Sequence, residues 1–151
     1  MAESRVMRII PYDERYKEQM LTMIKEARLA LGLSPDIRDD LYDIKSNYLD
    51  NGDIFLLAAE EDGTVAVCLG YSRIGRTNEA FLHRFYVKAS RKHQGIGTAL
   101  LNTVETIMKG NGITISRVHL GEPKEQWFES YLFYPKNGYE EYESRYMIKH
   151  L

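Results

Sequence analysis

This chain of 151 residues has one cysteine, four scattered histidines, no long apolar run and almost no net charge, and each scarcity removes a class of protein. A lone thiol, Cys68, cannot close an internal disulfide, and its setting in TVAVCLGYS reads as a buried strand, so a reducing cytoplasm is the expected compartment. His83, His93, His119 and His150 form no metal-ligand spacing with that cysteine, and no metal is expected. A formal charge of −2 gives no general basis for holding nucleic acid or an anionic membrane. Nowhere do about 18 apolar residues run together, and MAESRVMRII lacks a signal-type apolar stretch, so a soluble protein is expected. The length suits one domain, set at residues 5–151, that buries about two thirds of its unfolded surface.

What is present reads as a mixed α/β chain. Val6 to Ile10 forms a short strand ended by Pro11, with Asp13 as the cap of a helix whose stripe runs Tyr16, Met20, Met23, Ile24, Ala27 and Leu31 up to Gly32. Leu41 to Leu49 gives a second, shorter helix, and Asp50 to Gly52 break the chain. IFLLAAE and VAVCLGYSR are strands joined by an Asp-Gly hairpin, and Ala80 to Val87 is a third. A helix after Gly97, a strand at SRVHL, a helix over Glu125 to Tyr134, and a hairpin of Tyr139 to Tyr142 with Arg145 to Ile148 complete the order.

Chemistry concentrates in VKASRKHQGIGTALL, Val87 to Leu101. Here a strand enters a basic loop that opens directly into an amphipathic helix, whose first amides have no internal partner and whose dipole favours an anion. Gly95 and Gly97 let a phosphate approach the amides of Gln94 to Thr98, while Arg91, Lys92 and His93 add charge. The loop is not a P-loop, since Thr98-Ala99 replaces Lys-Ser/Thr, and Leu100 occupies the third small position of a dinucleotide fingerprint. An ordinary strand-to-helix turn remains the plain alternative.

Lys92-His93-Gln94-Gly95-Ile96-Gly97, together with FYPKNGYEEYESRYMIK near the end, resembles the GNAT superfamily of acyl-CoA N-acyltransferases from Val6 to Ile148. The usual loop begins with Arg or Gln, so Lys92 is a departure that weakens pyrophosphate binding, with Arg91 expected to compensate. The resemblance implies a mixed, mostly antiparallel sheet of six to seven strands flanked by about four helices, with acetyl-CoA as cosubstrate. Its implied contacts are Phe85, Tyr86, Val87, Lys92, His93, Gln94, Gly95, Ile96, Gly97, Thr98 and Trp127, the last standing where the family often has an asparagine. Lys136 is within reach of a coenzyme phosphate, or is simply solvated.

By the same resemblance the strand ending at Val87 splays from Val118 to Leu120, the Val87 amide polarises the thioester carbonyl, and Tyr134 protonates the departing thiolate. Pro135 is expected to shorten the helix that carries Tyr134. An attacking alkylamine with a pKa near ~10 must lose a proton, and His83, four residues before Val87 and assigned to the same strand face, is the first candidate base, ahead of Glu79 and His119. The expected partner is a primary amine, small molecule or peptide, with no nucleic acid and no membrane, and a homodimer is left open. A non-catalytic acyl-CoA-binding module is the runner-up. Asp36, Asp39, Asp40, Asp43, Glu140, Glu141 and Glu143, if near the cleft, favour a cationic acceptor, although a solvated face explains them equally well.

Overall fold

The structure is a computed structural model that describes residues 7–37 and 39–151, the Asp39 side chain excepted. Val6 and the acid at Asp39 therefore lie outside the description. Seven strands form one sheet: β1 Met7–Pro11, β2 Ile54–Glu60, β3 Val65–Arg73, β4 Glu79–Val87, β5 Ile115–His119, β6 Glu140–Glu143 and β7 Tyr146–His150, in the spatial order β1-β2-β3-β4-β5-β7-β6. All neighbours are antiparallel except β4 and β5. Four helices accompany them: α1 Lys17–Ala30, α2 Ile44–Asn47, α3 Ile96–Gly110 and α4 Phe128–Lys136.

Strand alternation divides the apolar residues between two layers. Leu57 and Cys68 face α1 and α2, packing with Met20, Ile24, Ile44 and Tyr48, while Leu56, Val67, Leu69 and Leu82 face α3 and α4 and pack with Leu100, Val104, Met108 and Tyr134. The predicted stripe of α1 is buried from Met20 to Ala27, and Gly32 at φ +77° turns the chain so that Leu33 N–H reaches Arg28 O, closing the helix end. Asp13 caps a 3₁₀ turn, Glu14–Tyr16, that leads into α1.

Two helix expectations are corrected. Leu41 to Leu49 is not one helix but the short α2 between 3₁₀ turns at Asp39–Tyr42 and Leu49–Asn51. Asp43 accepts from Ser46 N–H and restarts the chain as a cap, while the Asn47 amide bonds the carbonyls of Asp40 and Asp43, so side chains compete with a continuous ladder. In the other case α4 begins at Phe128, leaving Trp127 as its N-cap residue, and continues through Pro135 to Lys136. Proline so near the C-terminus removes a single ladder bond, and Asn137 donates to the Phe133 carbonyl to satisfy the end.

Two irregularities in β4 shape the site. Its parallel pairing with β5 spans only Glu79, Ala80 and Phe81 against Ile115, Ser116 and Arg117, while β5 continues against β7, so β4 from Leu82 onward separates from β5 as a wedge. Opposite Leu69, between His83 (facing Gly70) and Tyr86 (facing Cys68), β4 carries one extra residue. Arg84 takes φ +58° there, a left-handed backbone that costs a non-glycine residue about 1–2 kcal/mol. Its guanidinium is held by both Asp40 carboxylate oxygens at 3.0 and 2.8 Å, and its carbonyl lies 3.2 Å from Cys68 Sγ.

Candidate active site

At the end of β4 the loop enters α3 through Gly95, which caps the helix at φ +80° and offers no side chain to its amides. Ala99 N–H makes the first helical bond back to Gly95, and the first turn contains no acid, so the amides just after Gly95 form an open anion cradle. His93 also holds positive φ, +62°, which curls the loop around that cradle. A Cβ on Gly97 would sit 3.3 Å from Phe85 Cζ and 3.6 Å from Val87 Cγ2, so any larger residue would push the Phe85 ring or α3 away from its present close approach to β4.

A cavity of about 420 Å³ opens beside this cradle and is lined by residues 91–98 together with Phe85, Tyr86, Val87, Trp127, Tyr134 and Lys136. The structure thus brings together all the predicted site residues except His83. A second cavity of about 450 Å³ is lined by His83 and shares Phe85, Tyr86, Trp127, Ser130 and Tyr134 with the first, so the two adjoin where β4 parts from β5. Trp127 forms the boundary, its indole lying against Gly121, where a Cβ would be 2.5 Å away.

Lys88 N–H donates to Ala66 O at 2.7 Å, and Val87 stands opposite Val67. Successive amides of an antiparallel strand point to opposite edges, so the Val87 N–H is directed into the wedge, where β4 has no strand partner. Tyr134 is buried between Phe85, Phe133 and Tyr139, with ring centroids at 6.3, 5.3 and 5.3 Å, and burial raises its phenol pKa. Among the described residues its hydroxyl has no hydrogen-bond partner.

His83 requires a correction, because the extra residue at Arg84 inverts the strand phase. His83 and Tyr86 fall on the α1/α2 face, where His83 lies 6.2 Å from Tyr48, whereas Val87 falls on the α3 face. A count of four residues cannot reveal a bulge. His83 Nε2 is 2.7 Å from Ser72 Oγ, and burial, aided by the Arg84 charge, lowers its pKa below the ordinary histidine value. Of the weaker candidates, His119 stacks on Tyr146 at 4.3 Å and Glu79 is bound by Arg117, at 2.7 Å from Nε.

The charges are also redistributed. Arg91 lines the cavity, but its Nε is tied to Glu60 and its side chain is only 11% exposed, so its charge is already partnered. Lys92 itself is 3.1 Å from Glu129, at the start of α4, and His93 is 4.0 Å from the same carboxylate. Of the acids expected near an acceptor, Asp40 is spent on Arg84 and the Tyr48 hydroxyl: burial alone would raise its pKa, and those bonds outweigh it. Asp36, Asp43, Glu140, Glu141 and Glu143 line neither cavity. Glu129, Ser72 and the Arg84–Asp40 clamp had no signal in the sequence.

A seven-stranded sheet split by a wedge, with a glycine-capped anion cradle at its mouth, defines an acyl-coenzyme A transferase type of fold. The chain matches the Acetyltransferase (GNAT) family over residues 18–139 and belongs to it. A GNAT-family acetyltransferase structure from Staphylococcus aureus Mu50 superposes with a TM-score of 0.86 at 23% identity, covering 97% of this chain and 99% of that one. The PaiA N-acetyltransferase of Thermoplasma acidophilum, solved with coenzyme A, gives 0.73 at 24% identity, over 97% and 99%. In sequence, the spermidine N(1)-acetyltransferase of the same organism is 36% identical over 89 residues, 59% of this chain, which spans about half (52%) of that relative's length. Among the described residues no helix is long and apolar enough to cross a membrane.

Proposed function

We propose that the protein transfers an acetyl group from acetyl-CoA to a primary amine by direct attack. The observation that carries this reading is that two cavities adjoin at the β4–β5 wedge and share Phe85, Tyr86, Trp127, Ser130 and Tyr134, with the anion cradle lining one and His83 the other. The pyrophosphate would rest on the amides after Gly95, with Lys92 and Lys136 beside it, and the pantetheine arm would follow Phe85 to Val87.

The amine lone pair then attacks the thioester carbon, the Val87 N–H stabilises the developing oxyanion, the C–N bond forms, and the C–S bond breaks with its electron pair on sulfur. His83, kept neutral by burial, receives the proton lost from the amine. Tyr134 has an unshared hydroxyl at the junction of both cavities. A phenol of raised pKa is a weaker acid than a thiol near ~8.5, so its main contribution is a hydrogen bond to the sulfur as charge develops, with solvent completing protonation.

A polyamine acceptor follows from likeness to the spermidine relative, but the acids that would greet a polycation are paired or lie outside the cavities. A panel of primary amines with acetyl-CoA and thiol-release detection tests the reading. Acetylated product with stoichiometric free thiol is expected; coenzyme binding with no turnover on any amine would favour a non-catalytic binding module instead.

A further inference from the structure

The second cavity contains three arginines and one glutamate, Arg28, Arg84, Arg145 and Glu122. Two of the arginines are neutralised: Arg84 by Asp40 at 2.8 Å, and Arg145 by Glu122. Arg28, on the last turn of α1, has no acidic partner among the described residues. Its Nε donates to the Ser34 carbonyl at 2.7 Å and its Nη1 to the Tyr86 hydroxyl at 3.2 Å, which fixes the plane of the guanidinium. Both Nη2 hydrogens remain without a partner among the described residues. An arginine already ordered by neutral acceptors presents a planar fork suited to a carboxylate, with little further ordering needed on binding.

Resting on the acyl-transfer reading, we propose that the acceptor is a small amine that also carries a carboxylate, with Arg28 binding that carboxylate. The residual charge of the cavity, positive at Arg28, is wrong for a polyamine and right for an amino-acid-type acceptor. Tyr86 links recognition to the reacting strand, because its hydroxyl holds Arg28 while its backbone precedes Val87 on β4. Arg28 lies outside the coenzyme cavity, so the two substrates are recognised by separate charges.

The test is a comparison of kcat/KM for amino acids, their carboxamides and spermidine, in the wild-type protein, Arg28→Gln and Arg28→Lys, with coenzyme A affinity measured by calorimetry on each. Wild type should prefer the carboxylate over its carboxamide by about tenfold or more, the scale of a charge-assisted hydrogen bond. In Arg28→Gln the preference should fall to within about twofold at unchanged coenzyme affinity, and Arg28→Lys should restore part of it. Equal or better use of carboxamides or spermidine by wild type would overturn the proposal, even if the variants fail to fold. So would a carboxylate preference that survives Arg28→Gln. Loss of coenzyme binding in wild type would instead overturn acyl transfer, and this inference with it.

Discussion

At the scale of single residues, the site depends on two side chains whose surroundings push their proton affinities in opposite directions. Burial disfavours the Tyr134 phenolate and raises its pKa above the ordinary tyrosine value, so the hydroxyl stays a donor well beyond neutral pH. Tyr134→Phe keeps the ring contacts to Phe85 and Tyr139 and removes only the hydroxyl, so kcat should fall by roughly 10²-fold, the usual scale for one hydrogen-bond donor to developing charge, with little change in coenzyme A affinity. A collapse of that affinity would show the residue to be structural. His83 is shifted the other way, and a lowered pKa means that the ring is already neutral at a lower pH. The acid limb of kcat/KM should therefore have its midpoint below the ordinary ~6.5, with activity lost as pH falls through it, and His83→Ala should abolish that limb. An identical pH profile in the variant would remove His83 as the base. Cys68, with its thiol pushed up to about 12 by burial, has no part in this chemistry.

At the scale of elements, the strand-loop-helix unit of β4 and α3 does the positioning. Gly97→Ala places a methyl 3.3 Å from Phe85 Cζ, and either the ring or the helix must yield. Because the N-terminus of α3 holds the proposed anion cradle, coenzyme A affinity should drop by about tenfold while stability changes by only about 1 kcal/mol, as read by calorimetry and denaturant titration. Unchanged affinity would place the pyrophosphate elsewhere. This unit was also the most legible one in the sequence, since glycine spacing, the basic run and the amphipathic pattern after Gly97 are local signals. The β2–β3 hairpin was legible for the same reason, its ends falling at Ile54–Glu60 and Val65–Arg73 as expected from the Asp-Gly turn. The wedge and the bulge were not. A strand's alternation gives its faces only while pairing is regular, and Arg84 breaks it through a clamp to Asp40, 44 positions away. The short α2 was misread as a longer helix because apolar periodicity is blind to Asp43 and Asn47 capturing backbone groups.

At the scale of the whole molecule, one sheet has α3 and α4 on one face and α1 and α2 on the other, and both cavities draw lining residues from both layers. Behind the α3/α4 face, Tyr139 joins Ser116 at 2.7 Å to Glu105 at 2.8 Å, and Lys149 completes the group at 2.9 Å from Glu105. Tyr139→Phe leaves the buried Glu105 and Ser116 each short of a partner, and should cost about 1–3 kcal/mol in urea unfolding without altering kcat per folded molecule. Pairing decided the reading of charge at this scale too: the acids were visible in the sequence, but Asp40 proved to be committed to Arg84, and Asp36, Asp43, Glu140, Glu141 and Glu143 line neither cavity. The central claim, that the wedge and its cradle receive an acyl-coenzyme A, is tested most directly by calorimetric titration of the protein with coenzyme A. Saturable one-to-one binding, weakened in Gly97→Ala and retained in Tyr134→Phe, is the predicted result; no heat of binding at millimolar coenzyme A would contradict it.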